Sequence, residues 1–224
     1  MRVVICGGGV IGACTAYFLS RRGIDVIVVE RTEVAAAASG KAGGFLALDW
    51  CAGTPLDALA RRSFGLHATL PDEIAGDWGY RRMTAYSGSV VPGRHGRRHE
   101  RAELPWLSNG VIIDSRLSTT ETTAIVHPRA FTTAMMNAAQ SHGADVRRGR
   151  VAGIVRRADG STVRGVEADG GVIEADALVV AMGPWSVISA KWMSLPAVFG
   201  QRSPSLRLRH RHGCACGCAF SRLS

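Results

Sequence analysis

Val3-Val4-Ile5-Cys6-Gly7-Gly8-Gly9-Val10-Ile11-Gly12 decides the fold: a short apolar run delivers a G-x-G-x-x-G turn, and apolar residues at helical density follow it. Gly7 permits the tight turn that leaves the strand, Gly9 lets backbone approach a pyrophosphate, and Gly12 lets helix and strand pack closely. The predicted helix runs from Val10 to Leu19 and stops at Gly23; a second strand, Val26-Ile27-Val28-Val29, then ends on Glu30. Free N–H groups at the helix start, with the positive end of its dipole, can hold a diphosphate without any basic side chain. Glu30 stands eighteen positions after Gly12, where a carboxylate can accept hydrogen bonds from both hydroxyls of an adenosine ribose. The order strand, turn, helix, strand, acid points to a dinucleotide site. The bland alternative is a glycine-rich turn in some other α/β domain.

Outward from this unit, composition sets broad limits. Of 224 residues, 46% are apolar, enough for the core of one large domain or one and a half ordinary ones. The net charge of +9 is unevenly placed, because all 18 acidic residues lie at or before Asp176 while six of the 27 basic ones lie beyond it. The body is therefore only mildly basic, and no nucleic-acid partner is expected. Arg94-His95-Gly96-Arg97-Arg98-His99 is answered by Glu100 and Glu103 and reads as a solvated loop. No apolar run approaches the ~18 residues of a membrane span. Met1 to Ala16 has the outline of a signal peptide, but cleavage there would destroy the glycine turn. Cys6, Cys14 and Cys51 read as free thiols of an intracellular protein, so the expected location is cytoplasmic.

Val34 to Phe45 is a second stretch of small residues, Ser39-Gly40-Lys41-Ala42-Gly43-Gly44 among them, able to pass close to a flat ligand; a flexible loop is the alternative. From Pro55 to Leu70, Leu56, Leu59, Ala60, Phe64 and Leu66 recur at helical spacing, which predicts an amphipathic helix. Thr84 to Val91, Gly110 to Asp114 and Ser118 to Val126 are β-prone and predict a second, mostly β domain. His127-Pro128 opens another helix, with Phe131, Ala134, Met135, Ala138 and Ala139 inward until Gly143. Asp145 to Arg148 predicts a third parallel strand. Val151 to Arg156, Val163 to Ala168 and Val172 to Glu174, joined by turns at Asp159-Gly160 and Asp169-Gly170-Gly171, predict an antiparallel meander. Ala177 to Ala181 is the apolar run of a buried parallel strand, and it leads into Met182-Gly183-Pro184-Trp185-Ser186.

A meander in this position is a flavoprotein style of Rossmann domain, whereas nicotinamide dehydrogenases usually place a helix there. That favours FAD over NAD. A short-chain dehydrogenase is further disfavoured, since none of Tyr17, Tyr80 and Tyr86 has a lysine four positions on. Taken as an ordered set, the glycine turn, Glu30-Arg31, Ala38 to Gly44, His127-Pro128 with Phe131, and Val179 to Ser186 resemble the D-amino-acid oxidase superfamily of FAD-dependent oxidoreductases, which includes glycine and sarcosine oxidases. The resemblance covers roughly residues 1 to 196. It implies that Gly7, Gly9, Val10, Ile11 and Gly12 hold the pyrophosphate of FAD, Glu30 the ribose, and that Arg31 lies near adenine. It further implies that Ser39, Gly40, Lys41, Gly43 and Gly44 run past the diphosphate and isoalloxazine, that the Val151 backbone faces adenine, and that Gly183 borders the cofactor.

The family reaction is hydride transfer from an amine or amino acid to flavin, with molecular oxygen as acceptor, so no nucleophile or triad is expected and no catalytic residue is assigned. The expected architecture is α/β: a discontinuous Rossmann-type FAD-binding domain with a β-meander crossover over residues 1–82 and 127–196, and part of a mostly β substrate domain over 83–126. Family members run well beyond 300 residues, so the chain reads as C-terminally truncated. Its tail, 197–224, is acid-free and without apolar period, and is expected to be disordered, a shifted frame or alternative transcript end. Cys214, Cys216 and Cys218 lack zinc-knuckle spacing and read as incidental thiols rather than a metal site. Two rivals stay open: a catalytically incomplete remnant that only binds nucleotide or a partner, and an NAD-dependent dehydrogenase.

Overall fold

Strand β1 (Arg2–Cys6), helix α1 (Val10–Ser20) and strand β2 (Asp25–Glu30) form the expected unit in a computed structural model, which describes residues 1–90, 111–160 and 162–195 with Leu104 and Phe199. The basic run at 94–99 and the tail cysteines fall outside the described residues, as do His210 and His212. β1 pairs in parallel with β2, Val4 opposite Ile27, and on its other side with Ala177–Val180, Val4 opposite Leu178.

The described residues form two compact units. The first comprises Met1–Gly44, Pro71–Trp78 and the chain from His127; the second comprises Phe45–Leu70 and Gly79–Val126. The division thus falls at Phe45 rather than near residue 83, because three residues after Gly44 already pair with a strand of the second unit.

In chain order the remaining elements are α2 (Ala38–Lys41), β3 (Phe45–Ala47), α3 (Asp57–Glu73), β4 (Arg81–Arg82), β5 (Ala85–Val90), β6 (Val111–Ser118) and β7 (Thr123–Ile125). After these come α4 (Pro128–Ser141), β8 (Asp145–Arg148), β9 (Val151–Arg156), β10 (Val163–Ala168), β11 (Gly171–Glu174), β12 (Ala177–Val180) and a 3-10 helix (Gly183–Lys191). The first unit's parallel sheet has the order β12-β1-β2-β8. β9, β10 and β11 form the antiparallel meander, and its second hairpin turns through Asp169 and Gly170, both at positive φ, as a two-residue hairpin demands.

Alternation along β1 and β2 sends Val4, Cys6, Ile27 and Val29 to one face, where Val166 and Ala168 of β10 bury them. Ile5 points to the other face and lies beneath Gly12 of α1. α4 packs on α1 and buries Phe131, Met135 and Ala139, and His127 caps α4 by accepting the Ala130 N–H at Nδ1, 3.2 Å away. Each fully buried Val or Ile contributes about 1.5–3 kcal/mol, so these two faces hold the sheet rigid under whatever sits at its carboxyl end.

In the second unit the sheet order is β3-β7-β4, with β5 and β6 as a separate ribbon. β6 runs on through Ser115-Arg116-Leu117, where the sequence suggested a break, paired with β5 at Ser87 and Tyr86, and the Ser89 hydroxyl donates to Asp114 Oδ2 at 2.9 Å. Helix α3 also departs from expectation: Phe64 and Leu70 are buried, while Leu56 and Leu59 are exposed. Arg82 lies over the Phe64 ring at 4.5 Å, covering the middle of the helix and leaving its start uncovered.

Candidate functional site

Everything the glycine turn presents converges at the carboxyl ends of β1 and β2. Gly7 has φ +110, and a Cβ there would strike the Ala181 carbonyl beyond β12. Gly12 is packed just as closely from the other side, since a Cβ would run into the Gly7 carbonyl oxygen. Strand, turn and helix are therefore locked to β12 at a spacing only glycine allows.

Gly9 precedes α1 in extended conformation, and the first N–H of the helix, that of Val10, donates to Ser39 Oγ at 2.9 Å. The N–H groups of Ile11 and Gly12 have no acceptor among the described residues. They mark a helix start with donors and dipole available for an anion. Ser39 reaches it from α2, whose approach is set by Gly40 packed against the Ala35 carbonyl, and by the Ala35 N–H donating to the Gly8 carbonyl at 3.1 Å.

Glu30 is fixed from three directions. Its Oε2 accepts the Gly8 N–H at 2.7 Å, and its Oε1 accepts both the N–H and the hydroxyl of Thr32, at 2.9 and 3.1 Å. The carboxylate is thereby held at the strand end beside the turn. The Glu30 carbonyl accepts the Gly149 N–H at 2.8 Å, which ties the β8–β9 corner to it, and Asp169 Oδ1 accepts the Arg150 N–H at 3.1 Å. Val151 follows directly. Arg31 turns to the other wall, its guanidinium 4.8 Å from the centre of the Trp185 ring.

These groups border one cavity of about 670 Å³, within the size range of small-molecule and cofactor sites. Gly7, Gly9, Val10, Ile11, Glu30, Arg31, Ser39, Lys41, Val151 and Gly183 all line it. Gly12, Gly40, Gly43 and Gly44 do not: Gly12 and Gly40 act through packing, and Gly43-Gly44 lead the chain out of the first unit, Gly44 at φ +78. Sequence reasoning missed Gly8 and Thr32 as holders of Glu30, and Met182 and Trp192 in the wall. Cys6 also borders the cavity, and burial pushes its thiol up to about 12, so it stays neutral. Among the described residues no cluster of His, Cys, Asp or Glu could hold a metal ion, and no helix is long and apolar enough to cross a membrane.

The donor set suits FAD: a helix start with free N–H groups for the diphosphate, an anchored carboxylate for ribose hydroxyls, and small or apolar walls for the rings. A Rossmann-type sheet with a meander crossover and a dinucleotide cavity defines the class. Comparison with known proteins gives the family: the sequence model for FAD dependent oxidoreductases (DAO) matches residues 2–216, and this chain belongs to that family, whose cofactor is FAD. Glycine oxidase from Bacillus cereus is 28% identical in sequence and superposes with a TM-score of 0.69, covering 84% of this chain and 58% of that one. The uncharacterized oxidoreductase YurR of Bacillus subtilis is 28% identical over 209 residues, 82% of this chain and 55% of that protein. Iminodiacetate oxidase from Chelativorans, at 21% identity and a TM-score of 0.67, shares the fold. The chain spans little more than half the length of these relatives, and 36% of the Schizosaccharomyces pombe relative C1F5.03c.

Proposed function

We propose that this chain is the cofactor-holding part of an oxidoreductase that oxidises a small amine or amino acid, with molecular oxygen as acceptor. The observation that carries the reading is the convergence of the α1 start, the anchored Glu30 carboxylate, Val151 and Gly183 on one cavity. When bound, the flavin supplies the hydride acceptor for the carbon that carries the amine. The protein's own residues bind and orient. The Ile11 N–H group would donate to the diphosphate oxygens, with Ser39 beside it at the helix start. Glu30 accepts from the ribose, held in place by Gly8 and Thr32. Val151, Gly183 and the Arg31–Trp185 pair would flank the rings.

Hydride transfer requires the reacting carbon to lie close to the ring in a fixed attitude, so positioning supplies most of what the protein contributes. The amine class rests on the likeness to glycine oxidase, and the cytoplasm on the free thiols Cys6, Cys14 and Cys51. The test is anaerobic: the purified yellow protein is mixed with glycine, sarcosine and a panel of amino acids while its visible spectrum is followed. Bleaching by one of them supports an amine-oxidising enzyme. A flavin spectrum that none of them bleaches supports a binding role instead, and a colourless protein that takes up NAD supports a dehydrogenase.

A further inference from the structure

In the proposed site the Glu30 carboxylate meets the adenosine ribose, and a carboxylate has two oxygens with two lone pairs each, four places in all for incoming donors. Three of the four are taken by the protein itself. Oε1 accepts the Thr32 N–H at 2.9 Å and the Thr32 hydroxyl at 3.1 Å, which fills it. Oε2 accepts the Gly8 N–H at 2.7 Å and keeps one lone pair. The stem of the side chain lies against the glycine turn, since a Cβ on Gly8 would stand 3.2 Å from both Cβ and Cγ of Glu30. An acid held in this way has room for one ribose hydroxyl, where the spacing from Gly12 suggested two.

The other hydroxyl has a receiver close by. Thr32 is exposed and lines the same cavity as Glu30. Its hydroxyl has a single proton, which goes to Glu30 Oε1, and two lone pairs that accept nothing among the described residues. A hydroxyl that already donates to a carboxylate is the better acceptor for it, because each bond in a chain polarises the next. Resting on the reading of this cavity as the FAD site, we infer that the two ribose hydroxyls are divided, one donating to Glu30 Oε2 and the other to Thr32 Oγ1. Thr32 is then a cofactor-binding residue in its own right as well as a support for Glu30. A ribose that lacks either hydroxyl leaves one of the two acceptors empty.

The experiment measures the affinity of the whole flavin-free chain for FAD and for two analogues whose adenosine lacks the 2′- or the 3′-hydroxyl, through quenching of tryptophan fluorescence. Wild type, Thr32→Val and Thr32→Ser are compared, each variant first checked for a wild-type circular dichroism spectrum. T32V is expected to bind FAD about tenfold more weakly, because it removes one bond to the ribose and one to Glu30. T32S keeps the hydroxyl and is expected to stay within about twofold of wild type. The comparison across ligands decides: the T32V loss shrinks by about threefold or more against the analogue lacking the hydroxyl that Thr32 receives, and stays whole against the other. A loss of equal size against all three ligands overturns the proposal, because Thr32 would then act only through Glu30. A loss that shrinks against both analogues, unchanged FAD affinity in T32V, or a T32S as weak as T32V overturns it too. Failure of the folded wild type to bind FAD at all overturns the cofactor reading, and this inference with it.

Discussion

The two ends of the parallel sheet each open into a hollow, and they are unlike in how their polar groups are used. At the amino end, Met1, Arg2, Asp25, Arg157, Arg164, Glu174, Ala175 and Asp176 border about 370 Å³. Their charges serve one another: Arg2 Nε lies 2.7 Å from Asp25 Oδ2, the Arg2 N–H donates to Asp176 Oδ2 at 2.7 Å, and Arg164 pairs with Glu174 at 3.0 Å. At the carboxyl end the Ile11 N–H borders the cavity with no acceptor among the described residues, and neither the Lys41 ammonium nor the Arg150 guanidinium has a carboxylate partner among them. A hollow most of whose acids already hold a partner offers little to a ligand. One whose donors converge without acceptors is a place for a ligand.

The sharpest way to break this contrast is at Gly12, where a side chain must collide with the Gly7 carbonyl. Gly12→Val is expected to lose FAD by more than ~100-fold and to lower the thermal midpoint, since forced overpacking typically costs about 1–3 kcal/mol or more. Unchanged flavin content would refute the packing argument. Next comes Glu30→Ala, which removes the ribose acceptor and frees Gly8 and Thr32. A charged hydrogen bond is worth about 1.5–3 kcal/mol, so FAD affinity should fall roughly 10- to 100-fold in a fluorescence titration. Ser39→Ala should weaken binding about three- to tenfold, the loss of one neutral hydrogen bond at the helix start.

A pH series separates wall from ligand. Burial holds the thiols of Cys6 and Cys14 up at about 12, above the value they take in an unfolded chain. The folded state therefore keeps protons that the unfolded state releases, and their contribution is whole below about pH 8.5 and is lost as pH rises toward 12. Unfolding free energy from urea curves should fall across that window, with iodoacetamide labelling of Cys6 slow at pH 8. The smallest effect belongs to the amino end: Arg2→Ala breaks a half-exposed pair, so stability should change by about 1 kcal/mol or less and FAD affinity not at all.

Much of the first unit was legible because its signals are local. Val3–Cys6, Val26–Val29 and Ala177–Val180 are apolar runs of parallel strands, and Asp-Gly pairs punctuate the meander. The site was legible where one short motif carries it, as in Gly7 to Gly12 and Glu30. What was not legible depends on where distant segments meet. Arg31 finds Trp185 across 154 positions, and Gly149 lies against the Asp169 carboxylate of the meander turn. The start of the second unit at Phe45 escaped notice because β3 is three residues long, too short for a period to show. The exposed Leu56 and Leu59 followed helical spacing faithfully; spacing says which residues share a face, not which half of the helix is covered.

The carboxyl-end cavity is proposed to be the site of FAD. Its direct test is a titration of the flavin-free chain with FAD, with NAD in parallel, followed through quenching of tryptophan fluorescence, to which Trp185 and Trp192 in the cavity wall contribute. The expected result is saturable quenching with one FAD per chain, weakened by Glu30→Ala and untouched by Arg2→Ala, and none with NAD. Saturable binding of NAD, or no response to FAD from a folded chain, would contradict it.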